Sequence, residues 1–160
     1  MSVKKKHIDD NLVNEPMAVY HTQPSLNPFG QLLSGKFSSD LDIIKLTRSG
    51  LSKKVLTGLA QKIAISLQEL SDIMHISDRT FHRFDDSAII KTEYSEKAVE
   101  LARLYTRGAE VFGSMDKFKL WMKSPAYVFN NETPLSLLDT SAGFNLVFTE
   151  LGRIEHGIFA

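Results

Sequence analysis

The sequence is 160 residues long, has no formal net charge, and is 42% hydrophobic and 24% charged, which is typical of a globular protein with one domain or two small ones sharing a core. It contains no cysteine, which excludes disulfide bonds, thiol nucleophiles and cysteine–zinc sites. It has no apolar run long enough to span a membrane and no apolar segment after Lys4–Lys6 that would make a secretory signal, so we expect a cytoplasmic protein.

The charge is spread unevenly along the chain. Residues 43–84 contain seven basic and three acidic side chains, whereas residues 93–160 contain seven basic and nine acidic ones. A mildly basic front is compatible with nucleic-acid binding, because the distribution of charge matters more than its sum. The excess is too small to identify a DNA-binding protein by itself.

The chain begins with a polar arm and then becomes helical. Residues 1–37 include three prolines and show no sustained periodicity, so we expect a flexible arm with little structure of its own. Ser38 or Ser39 can cap a first helix that Gly50 ends, and Ser52 can cap a second. The apolar residues of these helices recur at helical spacing, as Leu41, Ile44 and Leu46, then as Val55, Leu56, Leu59 and Ile63.

Residues 67–84, with the sequence LQELSDIMHISDRTFHRF, have the apolar pattern of two short helices joined by a tight turn. Ser66 and Glu69 form a capping box that opens the first helix. His75 stands where such turns often need glycine, and histidine accepts a left-handed backbone better than most residues. The side chains expected to hold the two helices together are Leu70, Ser71, Ile73, Met74, Ile76, Phe81 and Phe84.

The second of these helices is the candidate DNA-binding element. Ser77 can cap it, and its exposed face would reach phosphates or base edges in a major groove. The residues predicted to contact DNA are Arg79, Thr80, His82 and Arg83. Phe84 and two aspartates follow, and residues 88–90 are compatible with a short extended piece. The pattern alone leaves a second interpretation open, a helical hairpin that belongs to a core and contacts no DNA.

The back half of the chain predicts further helices. Ser95–Phe112 has an apolar face and a charged stripe, as in an amphipathic helix packed on a core. A shorter helix should run from Met115 to Lys123 and stop before a proline, and residues 124–132 read as a loop. Thr133–Pro134 has the composition of a helix start, and a last helix should span Thr140–His156 with a glycine behind it.

Patterns of catalysis and metal binding are missing from the sequence. His75 and His82 have no carboxylates at a spacing that would complete a metal site. The chain has no glycine-rich phosphate loop, no nucleophile elbow and no HExxH motif. We therefore expect neither an enzyme nor a metal site, and no cofactor.

Four separated blocks resemble one family in the right order. They read SDRTFHR (77–83), ARLYTRGAEVFGSMDKFKLWMKSP (102–125), TPLSLLDTSAG (133–143) and LGRIEHGIFA (151–160). Together they resemble the Xre/MbcA/ParS antitoxins, the partners of RES-domain toxins, over roughly residues 62–160. The family usually has a glycine-containing stretch before the Thr-Pro pair, where this chain has Val128–Glu132.

The resemblance implies an all-α protein in two parts. An Xre-like helix-turn-helix domain at residues 38–92 would follow the arm at 1–37, and a small helical toxin-binding domain would occupy residues 93–160. The first would bind the operator of its own operon as a homodimer. The second would hold a RES-domain toxin, an enzyme that consumes NAD, and the C-terminal end would cover the entrance to the toxin's active site.

The residues of that end support part of this expectation. Two large apolar side chains, Ile158 and Phe159, follow the last predicted helix. Residues at a chain end are usually poorly ordered, and exposed apolar groups there indicate an interaction site. Arg153 can pair with a carboxylate or occupy a phosphate subsite. The predicted toxin contacts are Arg153, Glu155, His156, Ile158, Phe159 and Ala160 with its carboxylate. The alternative is that the apolar pair folds back on its own domain.

Two other functions remain open from the sequence. The chain could be a stand-alone helix-turn-helix transcription regulator without a toxin, or a protein-binding module whose helix-turn-helix contacts no DNA. The sequence does not identify a dimer interface either. Phe112, Phe118 and Trp121 are aromatic enough to form one, although burial in the core explains each of them better.

Overall fold

The computed structural model describes residues 39–157, so the arm predicted at 1–37 and the residues 158–160 lie outside the described part. The helices are α1 (Asp40–Ser49), α2 (Lys53–Ile63), α3 (Leu67–Met74), α4 (Asp78–Arg83), α5 (Thr92–Phe112), α6 (Met115–Met122) and α7 (Ser141–Glu155). Two 3₁₀ turns, Tyr127–Phe129 and Pro134–Asp139, lie between α6 and α7. The predicted all-α architecture with a helix-turn-helix is confirmed.

Short polar side chains start most of these helices. In each case the hydroxyl oxygen accepts the backbone N–H three residues further on, which satisfies one of the amides left free in the first turn. The capping residues are Ser39, Ser52, Ser66, Ser77, Ser114 and Thr140. The capping box of Ser66 and Glu69 is present with both of its hydrogen bonds. These helix starts follow the predicted ones because a cap depends on only four consecutive residues.

Helix α5 begins three residues before the predicted start. Ser95 does not cap it, because its side chain is fully buried and its hydroxyl accepts the N–H of Leu51 at 2.9 Å. The helix extends back to Thr92, and Lys91 stands at its N-cap without a side-chain hydrogen bond. The hydroxyl of Ser95 therefore binds the backbone of a neighbouring strand. The local sequence does not reveal this contact.

Two short strands join the first helices to α5. Strand β1 (Leu51–Ser52) pairs antiparallel with β2 (Ile89–Ile90), with Leu51 opposite Ile90. The second strand lies in the extended piece predicted at 88–90, and the first was not predicted. Gly50, at φ 76, lets the strands approach, since a Cβ there would lie 2.5 Å from a methyl carbon of Ile89.

The segment between α6 and α7 differs from the prediction. The loop expected at 124–132 contains a 3₁₀ turn, and the helix start at Thr133 opens a 3₁₀ helix instead of an α-helix. Thr133 does cap it, because its hydroxyl accepts the N–H of Ser136 at 3.2 Å. The stretch is only six residues long before Thr140 caps α7, which leaves little room for α-helical hydrogen bonds.

Helix α5 is the centre of the fold. It packs against three helices that precede it in the sequence, α1, α2 and α3, and against two that follow it, α6 and α7. One continuous hydrophobic cluster extends from Leu46 in α1 to Leu151 in α7. Both halves of the chain therefore share a core, and the predicted domain division at residue 92 stays a prediction. Within residues 39–157, no helix combines the length and the apolar character that crossing a membrane requires.

Candidate interaction surfaces

Helices α3 and α4 form the predicted helix-turn-helix. His75 ends α3 in the left-handed region, at φ 54, and its N–H bonds back to the carbonyls of Ser71 and Asp72. Ser71 is fully buried, which lets α4 cross α3 closely, and Phe81 anchors α4 with no exposed surface. The turn is thus built without glycine, as the histidine at this position predicts.

The predicted DNA-contacting side chains all lie on the exposed face of α4. Arg79 and Arg83 form no ion pair with another side chain within the described residues. His82 lies 3.3 Å from Asp78, one turn earlier on the same helix. The hydroxyl of Thr80 shares a 2.6 Å hydrogen bond with Ser77 and so also stabilises the cap. The face therefore offers two unengaged guanidinium groups, while the other two side chains have local partners.

Lys53, at the start of α2, anchors the far end of α4. Its ammonium donates to the carbonyl of Phe84 at 2.7 Å and to that of His82 at 3.4 Å, and it lies 3.9 Å from Asp86. Its side chain is only 14% exposed. A cation at a helix C-terminus satisfies free carbonyls and opposes the negative end of the helix dipole. The local sequence gives no sign of this role, because about thirty residues separate Lys53 from the helix end that it contacts.

Three of the predicted toxin-contacting residues, Arg153, Glu155 and His156, lie at the end of α7. Arg153 is exposed and lies 3.6 Å from Glu150, and His156 is exposed at the C-cap. Glu155 already has an internal partner, because it forms an ion pair with Arg107 of α5. Gly157, at φ 67, ends the helix as predicted. Ile158, Phe159 and Ala160 lie outside the described residues.

Two hydrogen bonds join the front half of the chain to the back half. His75 in the helix-turn-helix donates from Nε2 to the main-chain oxygen of Asp139 at 2.6 Å. Lys123, after α6, donates to the carbonyl of Ala64 at 2.6 Å and lies 3.9 Å from Glu69. Both contacts connect groups about sixty residues apart in sequence, so nothing local predicts them. Within residues 39–157, no three histidine or acidic side chains are placed to hold a metal ion together.

The turn before Thr133 shows how the chain manages without the glycine that the family usually has there. Asn130 and Asn131 both adopt positive φ, 55 and 66. Asparagine tolerates this conformation better than other residues with a side chain. The N–H of Asn131 donates to the carbonyl of Ala126 at 3.0 Å, and the N–H of Ala126 donates to that of Glu132 at 3.1 Å. The turn is closed on itself by these bonds.

Two family models match the chain, one for each of these surfaces. Residues 42–103 match the antitoxin Xre-like helix-turn-helix domain. Residues 107–157 match the antitoxin Xre/MbcA/ParS C-terminal toxin-binding domain. The two matches meet inside α5, and between them they include α4 and the whole of α7.

Curated relatives agree with these matches. The chain is 26% identical over 134 residues to a protein named antitoxin Xre from Photorhabdus laumondii, which covers 82% of this chain and 90% of that protein. It is 36% identical over 70 residues to an antitoxin Xre from Yersinia enterocolitica, over 42% of this chain and 47% of that one. Among solved structures, a chain of the Mycobacterium tuberculosis MbcT–MbcA toxin–antitoxin complex is similar, at 21% identity and a TM-score of 0.48, over 66% of this chain and 94% of that one.

Proposed function

The chain belongs to the Xre/MbcA/ParS antitoxins, and from this premise we propose that it neutralises a RES-domain toxin and represses its own operon as a DNA-bound homodimer. The toxin would be an NAD-consuming enzyme, as the family resemblance implies. The protein would act in the cytoplasm, where both NAD and operator DNA are found.

The toxin-binding half of the proposal rests mainly on the match of residues 107–157 to a toxin-binding domain. The end of α7 is suited to such a contact, because Arg153 and His156 are exposed there. Ile158 and Phe159 follow immediately, and apolar side chains beside an exposed guanidinium are the usual composition of an interface anchor. We propose that these residues, with Glu155 and Ala160, cover the entrance to the toxin's active site.

The DNA-binding half rests on the exposed face of α4. Arg79 and Arg83 have no ion-pair partner in the described part of the chain. Lys53 donates a hydrogen bond to the carbonyl of Phe84 and so stabilises the C-terminal end of this helix. Guanidinium groups of this kind pair with guanine edges or phosphates in a major groove. A single recognition helix reads one half-site, so a homodimer would read two half-sites roughly 34 Å apart.

Co-expression with the product of the neighbouring gene, which we expect to be a RES-domain toxin, tests the first half. We expect the full chain to restore growth and the cellular NAD level. A chain truncated after Gly157 should fail to do so, whereas the control Phe159→Leu, which keeps an apolar side chain, should still neutralise. Equal neutralisation by the truncated chain would refute the role of residues 158–160, and a neighbouring gene without toxicity would favour a stand-alone regulator.

A mobility-shift assay on the upstream DNA at stated salt concentrations tests the second half. We expect a shift that the double substitution Arg79→Ala, Arg83→Ala abolishes. Arg103→Ala removes an exposed positive charge from α5 and should leave the shift intact. If the unsubstituted protein gives no shift, the chain is a protein-binding module without DNA contact. A shift that survives the double substitution would move DNA binding away from α4.

A further inference from the structure

An open groove lies between the end of α5, helix α6, the turn Tyr127–Phe129 and the last two turns of α7. Its volume is about 840 Å³. It is lined by Phe112, Trp121, Ala126, Tyr127, Val128, Asn130, Asn131, Glu150 and Ile154. None of these residues is among the predicted DNA contacts on α4 or the predicted toxin contacts, although Ile154 lies between two of the latter, Arg153 and Glu155.

The floor of the groove is formed by aromatic side chains that pack against a buried phenylalanine. Phe112 and Trp121 are half-buried, with ring centroids 5.4 Å apart. Both rings also contact Phe118, which is fully buried, at 5.6 and 5.7 Å. Aromatic rings at these separations attract each other and lose few rotamers on binding. The groove therefore presents a preformed aromatic surface.

The rim of the groove carries apolar side chains that the fold does not use. Tyr127 is 91% exposed and Val128 is 38% exposed, on the turn that the backbone bonds of Ala126 and Asn131 close. The same turn buries Phe129 in the core, whereas its tyrosine ring lies in solvent beside the apolar groove and adds nothing to that core. Exposed apolar groups in such an arrangement are typical of a docking surface, and tyrosine and tryptophan are enriched among residues that dominate binding.

The position of the groove indicates what occupies it. Every lining residue falls within residues 107–157, the part that matches the toxin-binding domain. Ile154 lines the groove in the last turn of α7, between the predicted toxin contacts Arg153 and Glu155, so the groove adjoins the proposed contact. Glu150 lies at the edge, where its carboxylate is 3.6 Å from the guanidinium of Arg153, one of the predicted toxin contacts. A partner segment with apolar side chains fits this composition.

We propose that this groove is a second docking site for the toxin, separate from residues 158–160, and that it accepts an apolar segment of the toxin surface. This inference rests on the proposed neutralisation of a RES-domain toxin. The groove would provide most of the affinity for the toxin, and residues 158–160 would obstruct the toxin's active site. The two contributions are separable because Tyr127 and residue 158 lie on different segments of the chain.

The test measures toxin binding and toxin inhibition separately, with the purified RES-domain toxin of the neighbouring gene. Tyr127→Ala should weaken the affinity about tenfold, and an excess of this variant should still stop NAD consumption completely. The matched control is Leu120→Ala, since Leu120 is 71% exposed on α6 and does not line the groove. It should bind as the unsubstituted protein does. The chain truncated after Gly157 should bind the toxin and fail to inhibit it.

Each contrary result has a distinct meaning. If the unsubstituted chain does not bind the toxin at all, both the proposed function and this docking site are wrong. If it binds and inhibits, but Tyr127→Ala and Tyr127→Glu bind equally well, the proposed function stands and the groove is not the docking site. If those substitutions change only the sedimentation of the free protein, the groove contacts a second copy of the chain, and the toxin-docking proposal is overturned.

Discussion

His75, in the turn between α3 and α4, donates a hydrogen bond at 2.6 Å to the main-chain oxygen of Asp139, the last residue of the 3₁₀ helix before α7. The bond connects the helix-turn-helix to the part of the chain that matches the toxin-binding domain. It also requires the proton to be on Nε2, since a carbonyl oxygen only accepts. The histidine therefore has two roles, one in the left-handed turn and one between the two halves.

Substitution of His75 separates these roles. Asparagine also tolerates a positive φ, but its shorter side chain does not replace the imidazole at Asp139. We expect His75→Asn to lower the free energy of unfolding by about 1 kcal/mol, the net worth of one hydrogen bond. His75→Gly loses the same bond but relieves the backbone strain, so it should be less destabilising. Urea unfolding measures both, and equal stability of all three proteins would deny the bond any role.

Lys53 is expected to stabilise α4 from its C-terminal end. Lys53→Met keeps the length of the side chain but leaves the carbonyl of Phe84 without its 2.7 Å partner. We expect a loss of about 1–2 kcal/mol in unfolding free energy and weaker operator binding. Lys54→Met is the matched control, since Lys54 is exposed beside it. If both substitutions reduce DNA binding equally and neither affects stability, Lys53 acts only through its charge.

Two glycines of α7 should respond in opposite ways to alanine. A Cβ on Gly143 would lie 1.8 Å from the carbonyl oxygen of Leu137, a backbone atom that cannot move aside. We expect Gly143→Ala to cost about 3 kcal/mol or more, because the 3₁₀ helix must shift. Gly152 has open space around its Cβ position, so Gly152→Ala should stabilise the helix by about 0.5–1 kcal/mol. Thermal melts of the two variants decide this, and similar melting temperatures would contradict the packing of α7.

Tyr105 is expected to lower the free energy of unfolding at alkaline pH. Burial, with a smaller contribution from the charge of Glu69, raises the pKa of its phenol above the ordinary value. The unfolded chain then releases this proton first, so stability is complete below about pH 10 and falls as pH rises above it. Tyr105→Phe should remove this fall. Unfolding free energies measured from pH 8 to pH 11 test it, with Tyr127→Phe as the exposed control.

The same substitution has a consequence at neutral pH. The hydroxyl of Tyr105 is buried and has no hydrogen-bond partner within the described residues. Removing it should leave the stability unchanged or raise it by about 1 kcal/mol, because an unsatisfied buried hydroxyl is unfavourable. A clear loss of stability in Tyr105→Phe at neutral pH would mean that the hydroxyl has a partner in solution.

Much of the fold follows from local sequence. The caps at Ser39, Ser52, Ser66 and Ser77 and the left-handed turn at His75 depend on a few consecutive residues, and the structure has each as predicted. The helical periodicity of the apolar residues also matches the buried faces of α2 and α3. It does not match that of α1, where Leu41 and Ile44 are 65% and 42% exposed and Leu46 is buried. Where the prediction failed, a distant partner decided: Ser95, the predicted first residue of its helix, lies inside α5 and bonds to β1, and β1 exists only through its pairing with β2.

The candidate surfaces also combine features that depend on local sequence with features that depend on tertiary packing. The sequence by itself determined the helix-turn-helix, the exposed basic residues of α4 and the blocks that resemble the antitoxin family, since these are properties of neighbouring residues. Only the tertiary structure decided that Lys53 holds α4, that His75 reaches Asp139 and that Trp121, Tyr127 and Ile154 line one groove. Such contacts join residues far apart in the chain, and their formation depends on how the helices pack around α5 and not on the spacing of residues along any one of them.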